Sequence, residues 1–152
     1  MTHGMSKMND NPIDNSKIIN AEDTIIGRLA SIVAKRLLSG EQIIIVNAEK
    51  ALISGNPGTI AQKYLDRFHI KTKSNPLKGP FYPRKPDQIL KRTIRGMLPF
   101  KKSRGKEAYK RLKVYNSLPG LFEGQDLEVP SDTKRNNPKS SYISLGELYI
   151  KI

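Results

Sequence analysis

The sequence contains no cysteine. That absence removes a disulfide framework, a thiolate nucleophile and Cys-ligated zinc at once, and it points to a reducing compartment. Histidine is nearly missing as well, with only His3 and His69 present, so no imidazole-based triad or zinc site can be assembled. His69 stands alone among basic neighbours and reads as a surface residue. Long apolar runs are also lacking. The longest aliphatic run is the four residues Ile43 to Val46, against the ~18–20 that a membrane span requires. Phosphate-cradling glycine loops are absent: there is no G-x-G-x-x-G, Gly105-Lys106 lacks the rest of a P-loop, and Gly55-x-x-Gly58 is more economically a turn. Residues 1–16 have neither a basic n-region nor an apolar h-region and read as a disordered tail.

Acidic residues are scarce in one particular place. The 152-residue chain carries 27 Lys+Arg against 14 Asp+Glu, a formal net charge of +13. Residues 63–113 hold 17 of those cations but only Asp66, Asp87 and Glu107, for a net +14, so the remainder is close to neutral at −1. Such concentration raises the local potential for a polyanion. A basic face kept only for solubility would intersperse acids among the bases. The length fits one domain, taken as residues 17–152, large enough to stand on its core without cross-links.

The apolar pattern predicts an α/β architecture. Lys17 to Ala21 is a short apolar segment, followed by a helical pattern over Thr24 to Leu38 that Asp23 or Thr24 can cap and Gly40 can close. Arg28, Ser31 and Lys35 mark its polar face. Gln42 to Asn47 is a β-branched run typical of a strand buried on both faces in a parallel sheet. Strand, helix, strand in this order suggests a right-handed crossover. A short piece at Ala51 to Ile53 precedes a turn at 54–58 and a helix from Thr59 to about Ile70, with Tyr64 and Phe68 on its apolar side and Lys63, Asp66 and Arg67 on the other.

The basic segment then changes character. Ser74 to Asp87 contains four of the ten prolines and should be an extended, partly polyproline arm carrying Lys78, Arg84 and Lys85 beside Phe81 and Tyr82. In the next helix, Asp87 to Leu98, the residues Ile89, Leu90, Thr93, Ile94, Met97 and Leu98 occupy one half of the wheel; Lys91, Arg92 and Arg95 share the other. Phe100-Lys101-Lys102 forms a basic turn, and Ser103 can cap a shorter helix to about Leu112 that offers Lys106 and Lys110. Residues 113–115 read as a further strand, 117–141 as loop, and Ser144-x-x-Glu147 as a capping box opening a last helix through Leu145, Leu148, Tyr149 and Ile152.

This composition fits phosphate neutralisation. Arginine forks grip phosphate oxygens bidentately and lysines act as point charges. The candidate RNA-binding residues are Lys78, Arg84, Lys85, Lys91, Arg92, Arg95, Lys101, Lys102, Arg104, Lys106, Lys110, Arg111 and Lys113. Phe81, Tyr82 and Phe100 can stack on bases, with Phe100 equally suited to anchoring the core. Cations alternating with Pro and Gly suit structured RNA, because no groove-reading helix or zinc finger is apparent. Two alternatives remain at this level: a general nucleic-acid-binding protein, and an enzyme acting on a phosphorylated ligand at a strand-end pocket.

One stretch carries a more specific signal. IRGMLPFKKSRGK over 94–106, continuing as EAYKRLKVYN over 107–116, resembles the signature of the L-thirteen family of large-subunit ribosomal proteins. GRLA at 27–30, VNAEK at 46–50, ISG at 53–55 and RKP at 84–86 also resemble that family. NPLKGP at 75–80 and RTIRG at 92–96 look closer to its archaeal and eukaryotic branch than to the bacterial one. The resemblance runs from about Lys17 to Tyr115. It implies a three-layer α/β/α fold around a small, mainly parallel sheet, and a structural role in the cytoplasmic large ribosomal subunit. The partners it implies are large-subunit rRNA and neighbouring ribosomal proteins, with no catalysis, cofactor, membrane or small-molecule substrate.

Overall fold

The structure is a computed structural model that describes residues 15–137 and 139–152. Its elements run β1 (Ser16–Asn20), α1 (Ile26–Leu38), β2 (Gln42–Val46), β3 (Leu52–Ser54), α2 (Pro57–His69), α3 (Pro86–Gly96), α4 (Ser103–Lys110), β4 (Leu112–Val114), β5 (Tyr142–Ser144) and α5 (Leu145–Lys151). Short 3-10 turns lie at Ala48–Lys50, Pro76–Lys78, Gly120–Phe122 and Ser131–Thr133. The expected N-terminal tail lies outside the described residues except for Asn15 and Ser16, and Ser16 already pairs with Gln42 in β1. Among the described residues no helix is long and apolar enough to cross a membrane.

The β-branched run forms the middle of a parallel sheet ordered β1-β2-β4. Both its faces are covered, as its composition predicts, and the two-residue period divides them. Ile43 and Ile45 join Ile19, α1, α3 and α4 in the main core, whereas Ile44 and Val46 meet Ile18 and Phe122 on the opposite face. That second face is closed by Phe122 with Leu118 and Leu127, so a loop and a 3-10 turn supply the outer layer there. The described residues of 117–141 are mostly irregular, as expected, but tied down. The Glu128 N–H donates to Ile18 O, and the Asn20 N–H to Glu128 O, extending the sheet past β1.

Arg36 reinforces this edge from α1. Its guanidinium reaches Glu41 at 2.8 Å and Glu128 at 2.9 Å. Burial opposes its charge, but the hydrogen bonds it donates to the Glu128 and Glu41 carboxylates, with their negative charge, outweigh that and hold its pKa above the ordinary value. A second, antiparallel pair joins β3 to β5, with Ile53 opposite Ile143. Nothing in the local pattern around Ile143 distinguishes this strand from loop. Its pairing partner lies some ninety residues upstream.

Helix starts differ from expectation at three places, each for a local reason. Neither Asp23 nor Thr24 caps α1. The buried Thr24 hydroxyl donates to Ala21 O at 2.7 Å, Asp23 turns the chain at φ 57°, and the helix opens after Ile25. Helix α2 starts two residues early because Asn56 Oδ1 accepts from Gly58 N and Thr59 N, with Pro57 in the first turn. Ser103 is the first residue of α4 and not its cap. At α5 the expected cap is present, Ser144 Oγ accepting from Glu147 N at 3.2 Å.

Helix α3 is positioned from both ends. Asn116, just past β4, accepts the Asp87 N–H at 2.8 Å and so satisfies a donor in its first turn. Ile89, Leu90 and Ile94, with Leu98 beyond the helix end, face the core. Met97 and Tyr149, expected inward, are 43% and 48% exposed. For Met97 the reason is that α3 stops at Gly96 and the chain turns outward before returning at Leu98. The arm before α3 is extended apart from the turn Pro76–Lys78, where Asn75 Oδ1 accepts from Leu77 N.

The turn after α3 packs so closely on α4 that Gly105 has no room for a side chain. An added Cβ would lie 2.1 Å from Pro99 O. Gly105→Ala should therefore lower unfolding free energy by roughly 1–3 kcal/mol, the usual range for overpacking, in a urea titration. An unchanged midpoint would show that α4 can slide without cost.

Candidate nucleic-acid interface

Most cations of residues 63–113 are carried by α2, the proline-rich arm, α3, the 99–102 turn and α4; Lys71 and Lys73 follow α2, Arg111 follows α4 and Lys113 lies in β4. The ion pairs among the described residues are Arg36–Glu41, Arg36–Glu128 and Lys50–Glu22, all outside this segment. The carboxylates among the described residues thus pair with none of its cations. Aromatic rings take their place. Arg67 lies 5.0 Å from the centroid of Tyr64 and 5.9 Å from that of Tyr82, and Arg92 lies 4.8 Å from Tyr82. Arg84 sits over Phe68 at 4.6 Å, Arg95 over Phe100 at 4.2 Å and Lys91 over Tyr109 at 5.2 Å. Such contacts contribute about 0.5–1 kcal/mol each at exposed sites. They fix a guanidinium by its flat face while leaving edge N–H groups to bind an anion.

Arg92 is the centre of this arrangement. Its Nη1 donates to Phe81 O at 2.6 Å, fastening the arm to α3. Three adjoining depressions share its side chain: a recess of about 210 Å³ toward α2, one of about 350 Å³ under Phe81 and Tyr109, and an open groove of about 550 Å³. The groove is lined by Arg92, Arg95, Lys101 and Lys102 over Leu98, Pro99 and Phe100, with no acidic residue. Phe100 also meets Tyr109 edge-on at 5.5 Å, so it is an anchor for the Arg95 stack more than a free ring. Phe81, by contrast, is 72% exposed.

The candidate residues divide accordingly. Arg92, Arg95, Lys101 and Lys102 converge on the groove, and Lys91 and Arg84 are stacked beside it. Lys78, Arg104, Lys106 and Lys110 are exposed. Lys85 instead borders a separate depression with Glu49, Asn116 and Tyr149. Lys113 lies in register with Ile44, on the sheet face turned away from α3 and α4. Arg111 is a structural residue here: it is half-buried and its Nη2 donates to Leu37 O at 2.6 Å, at the C-terminal end of α1. Sequence reasoning placed Arg67 on the polar face of α2 without assigning it to the site. The Tyr64–Arg67 spacing of three residues was the available signal. No group of three His, Asp or Glu able to hold a metal ion occurs among the described residues.

Comparison with known proteins finds relatives over most of the chain. The sequence model of the family described as ribosomal protein L13 matches residues 14–119. The chain is 43% identical over 142 residues to the large ribosomal subunit protein uL13 of Methanopyrus kandleri, covering 90% of this chain and 87% of that protein. It is 49% identical over 132 residues to the protein of the same name from Methanococcus maripaludis, covering 86% and 93%. The counterpart in Methanosphaera stadtmanae is 50% identical over 125 residues, covering 81% and 88%.

The two roles of basic residues in this segment separate by experiment. Arg111→Met, which keeps the aliphatic stem, should lower stability by about 1.5–3 kcal/mol, the range for a hydrogen bond from a charged group. Its affinity for RNA, measured below the unfolding transition, should stay within about twofold. A large affinity loss at unchanged stability would return Arg111 to the interface.

Proposed function

The chain belongs to the ribosomal protein L13 family, and from that membership we propose how its basic face engages RNA. The protein is a structural constituent of the large ribosomal subunit in the cytoplasm, not an enzyme, and it binds large-subunit rRNA beside neighbouring ribosomal proteins. The observation that carries the reading of its surface is the groove itself, with four cations around one apolar floor and no carboxylate. Phosphates passing along it displace their condensed counterions, and the entropy of that release drives binding. Arg92 and Arg95 act as forks held at fixed angles by Tyr82 and Phe100. Lys101 and Lys102 add mobile point charges at the groove's end.

Gly96 supports the same reading. It is exposed on the groove wall, its φ is not positive, and an added Cβ would meet nothing within 4 Å. Nothing within the described chain requires glycine there, although glycine costs roughly 0.5–1 kcal/mol relative to alanine inside a helix. Its bare backbone gives a sugar-phosphate strand a place to approach closely.

Two measurements test this surface. Replacing Arg92 and Arg95 together with Gln should weaken binding to large-subunit rRNA and flatten the slope of log K against log salt by roughly 1.4–1.8, since each lost phosphate contact removes about 0.7–0.9. Equal slopes for wild type and variant would remove the groove from the interface. Gly96→Ala should leave the thermal midpoint unchanged or slightly raised while reducing rRNA affinity. A variant that binds as well as wild type would sink the close-approach argument.

A further inference from the structure

We propose that the recess between α2, the arm and α3 is a subsite for one unpaired RNA nucleotide, its base entering the recess and its phosphate gripped by Arg67 and Arg92. This rests on the rRNA-binding reading and specifies which part of an RNA the face takes at this point. The recess is lined by Tyr64, Arg67, Tyr82, Pro83, Ile89, Arg92 and Thr93. At about 210 Å³ it is smaller than the ~300–1,000 Å³ pockets that enclose drug-sized ligands. A single planar ring is the appropriate scale.

Its chemistry is divided in the way a nucleotide is divided. Ile89, only 4% exposed, and Pro83 give an apolar interior. Thr93 adds little polarity, because its hydroxyl donates to Ile89 O at 2.9 Å. Two tyrosine rings stand at the walls, and two guanidiniums approach the one Tyr82 ring at 4.8 and 5.9 Å. Neither arginine has a carboxylate partner among the described residues, so their positive charge there is left for an anion to offset. One hydrogen bond from Arg92 to Phe81 O already fixes its orientation.

Its smaller size and its two tyrosine walls distinguish this site from the neighbouring groove. That groove also has an apolar floor, but it is wider, about 550 Å³, and its one ring, Phe100, is taken up by Arg95 and Tyr109. Bases inside an A-form helix are stacked and paired, so only a splayed-out nucleotide can present a ring to the recess. Stacking on an aromatic wall is tolerant of base identity, because every base has a π-face.

The test uses the full chain with adenosine 5′-monophosphate and ribose 5-phosphate as probes, followed by NMR of the tyrosine rings. Adenosine 5′-monophosphate should bind at least about 5-fold more tightly than ribose 5-phosphate, the lower end of what one stacked base contributes, and should shift the Tyr64 and Tyr82 signals. Tyr82→Leu should abolish that preference. Thr93→Leu, which fills the recess while keeping both tyrosines and both arginines, should abolish it too and guards against a Tyr82 variant that does not fold. Equal affinity of wild type for the two probes, or tyrosine signals that do not move, overturns the subsite and leaves a phosphate contact only. Wild-type binding to large-subunit rRNA on filters is measured alongside. If it persists without a base preference, the subsite alone is lost. If it is absent, the rRNA reading fails first and takes the subsite with it.

Discussion

Seventeen cations within fifty-one residues repel one another, and no carboxylate among the described residues pairs with any of them. The remaining structure accommodates that repulsion. Two unit charges 4 Å apart cost about 1 kcal/mol even in water, so a patch of this density needs fixed spacing and local attraction. The rings supply both. Each of the six cation–aromatic contacts lies in the basic segment and joins α2 to the arm, the arm to α3, or α3 to the 99–109 region, apart from Arg67 on Tyr64 within α2. A carboxylate would neutralise the same arginine and occupy the guanidinium edge that the rings leave open. Aromatic stacking orients the charge without neutralising it.

That arrangement depends on a near-neutral scaffold that carries no such conflict. The central strand β2 is buried on both faces, and α1 and α3 pack against one of them through Ile19, Leu29, Val33, Ile43, Ile45, Leu90 and Ile94. Helix α3 then has a single orientation, since rotating it would expose Ile89, Leu90 and Ile94 together. Arg92 and Arg95 point outward because their neighbours on the other side of the helix point in. Leu98 returns to the core and Gly105 lets α4 close on Pro99, so the basic turn between them is clamped at both ends. The charged groove inherits its rigidity from apolar packing a few ångströms beneath it.

Much of this was legible in the sequence. The three isoleucines of β2 announced a strand buried on both faces, and the wheel of α3 separated buried from outward-facing residues correctly at Ile89, Leu90, Ile94, Arg92 and Arg95. The parts that were not legible share a physical cause: they depend on partners distant in sequence. β5 exists because Ile53 lies opposite Ile143, and Arg111 is occupied because the end of α1 happens to meet it at Leu37. Lys113 is turned away because register with Ile44 assigns its face. Thr24 illustrates the local version, its hydroxyl satisfying Ala21 O in a turn where a cap was expected. Composition marks where positive charge is dense. Only the fold decides which cations share a surface.

Salt then acts on folding and on RNA binding in opposite directions. Added ions screen the repulsion within residues 63–113 and so favour the folded free protein. The same ions weaken the release of counterions from rRNA and so oppose binding. In the interface proposed above, rRNA phosphates sit at the guanidinium edges that the rings leave open and relieve the same repulsion. Anything that binds the folded form and not the unfolded one stabilises it by mass action. That proposed interface therefore couples the order of the arm and groove to the presence of RNA.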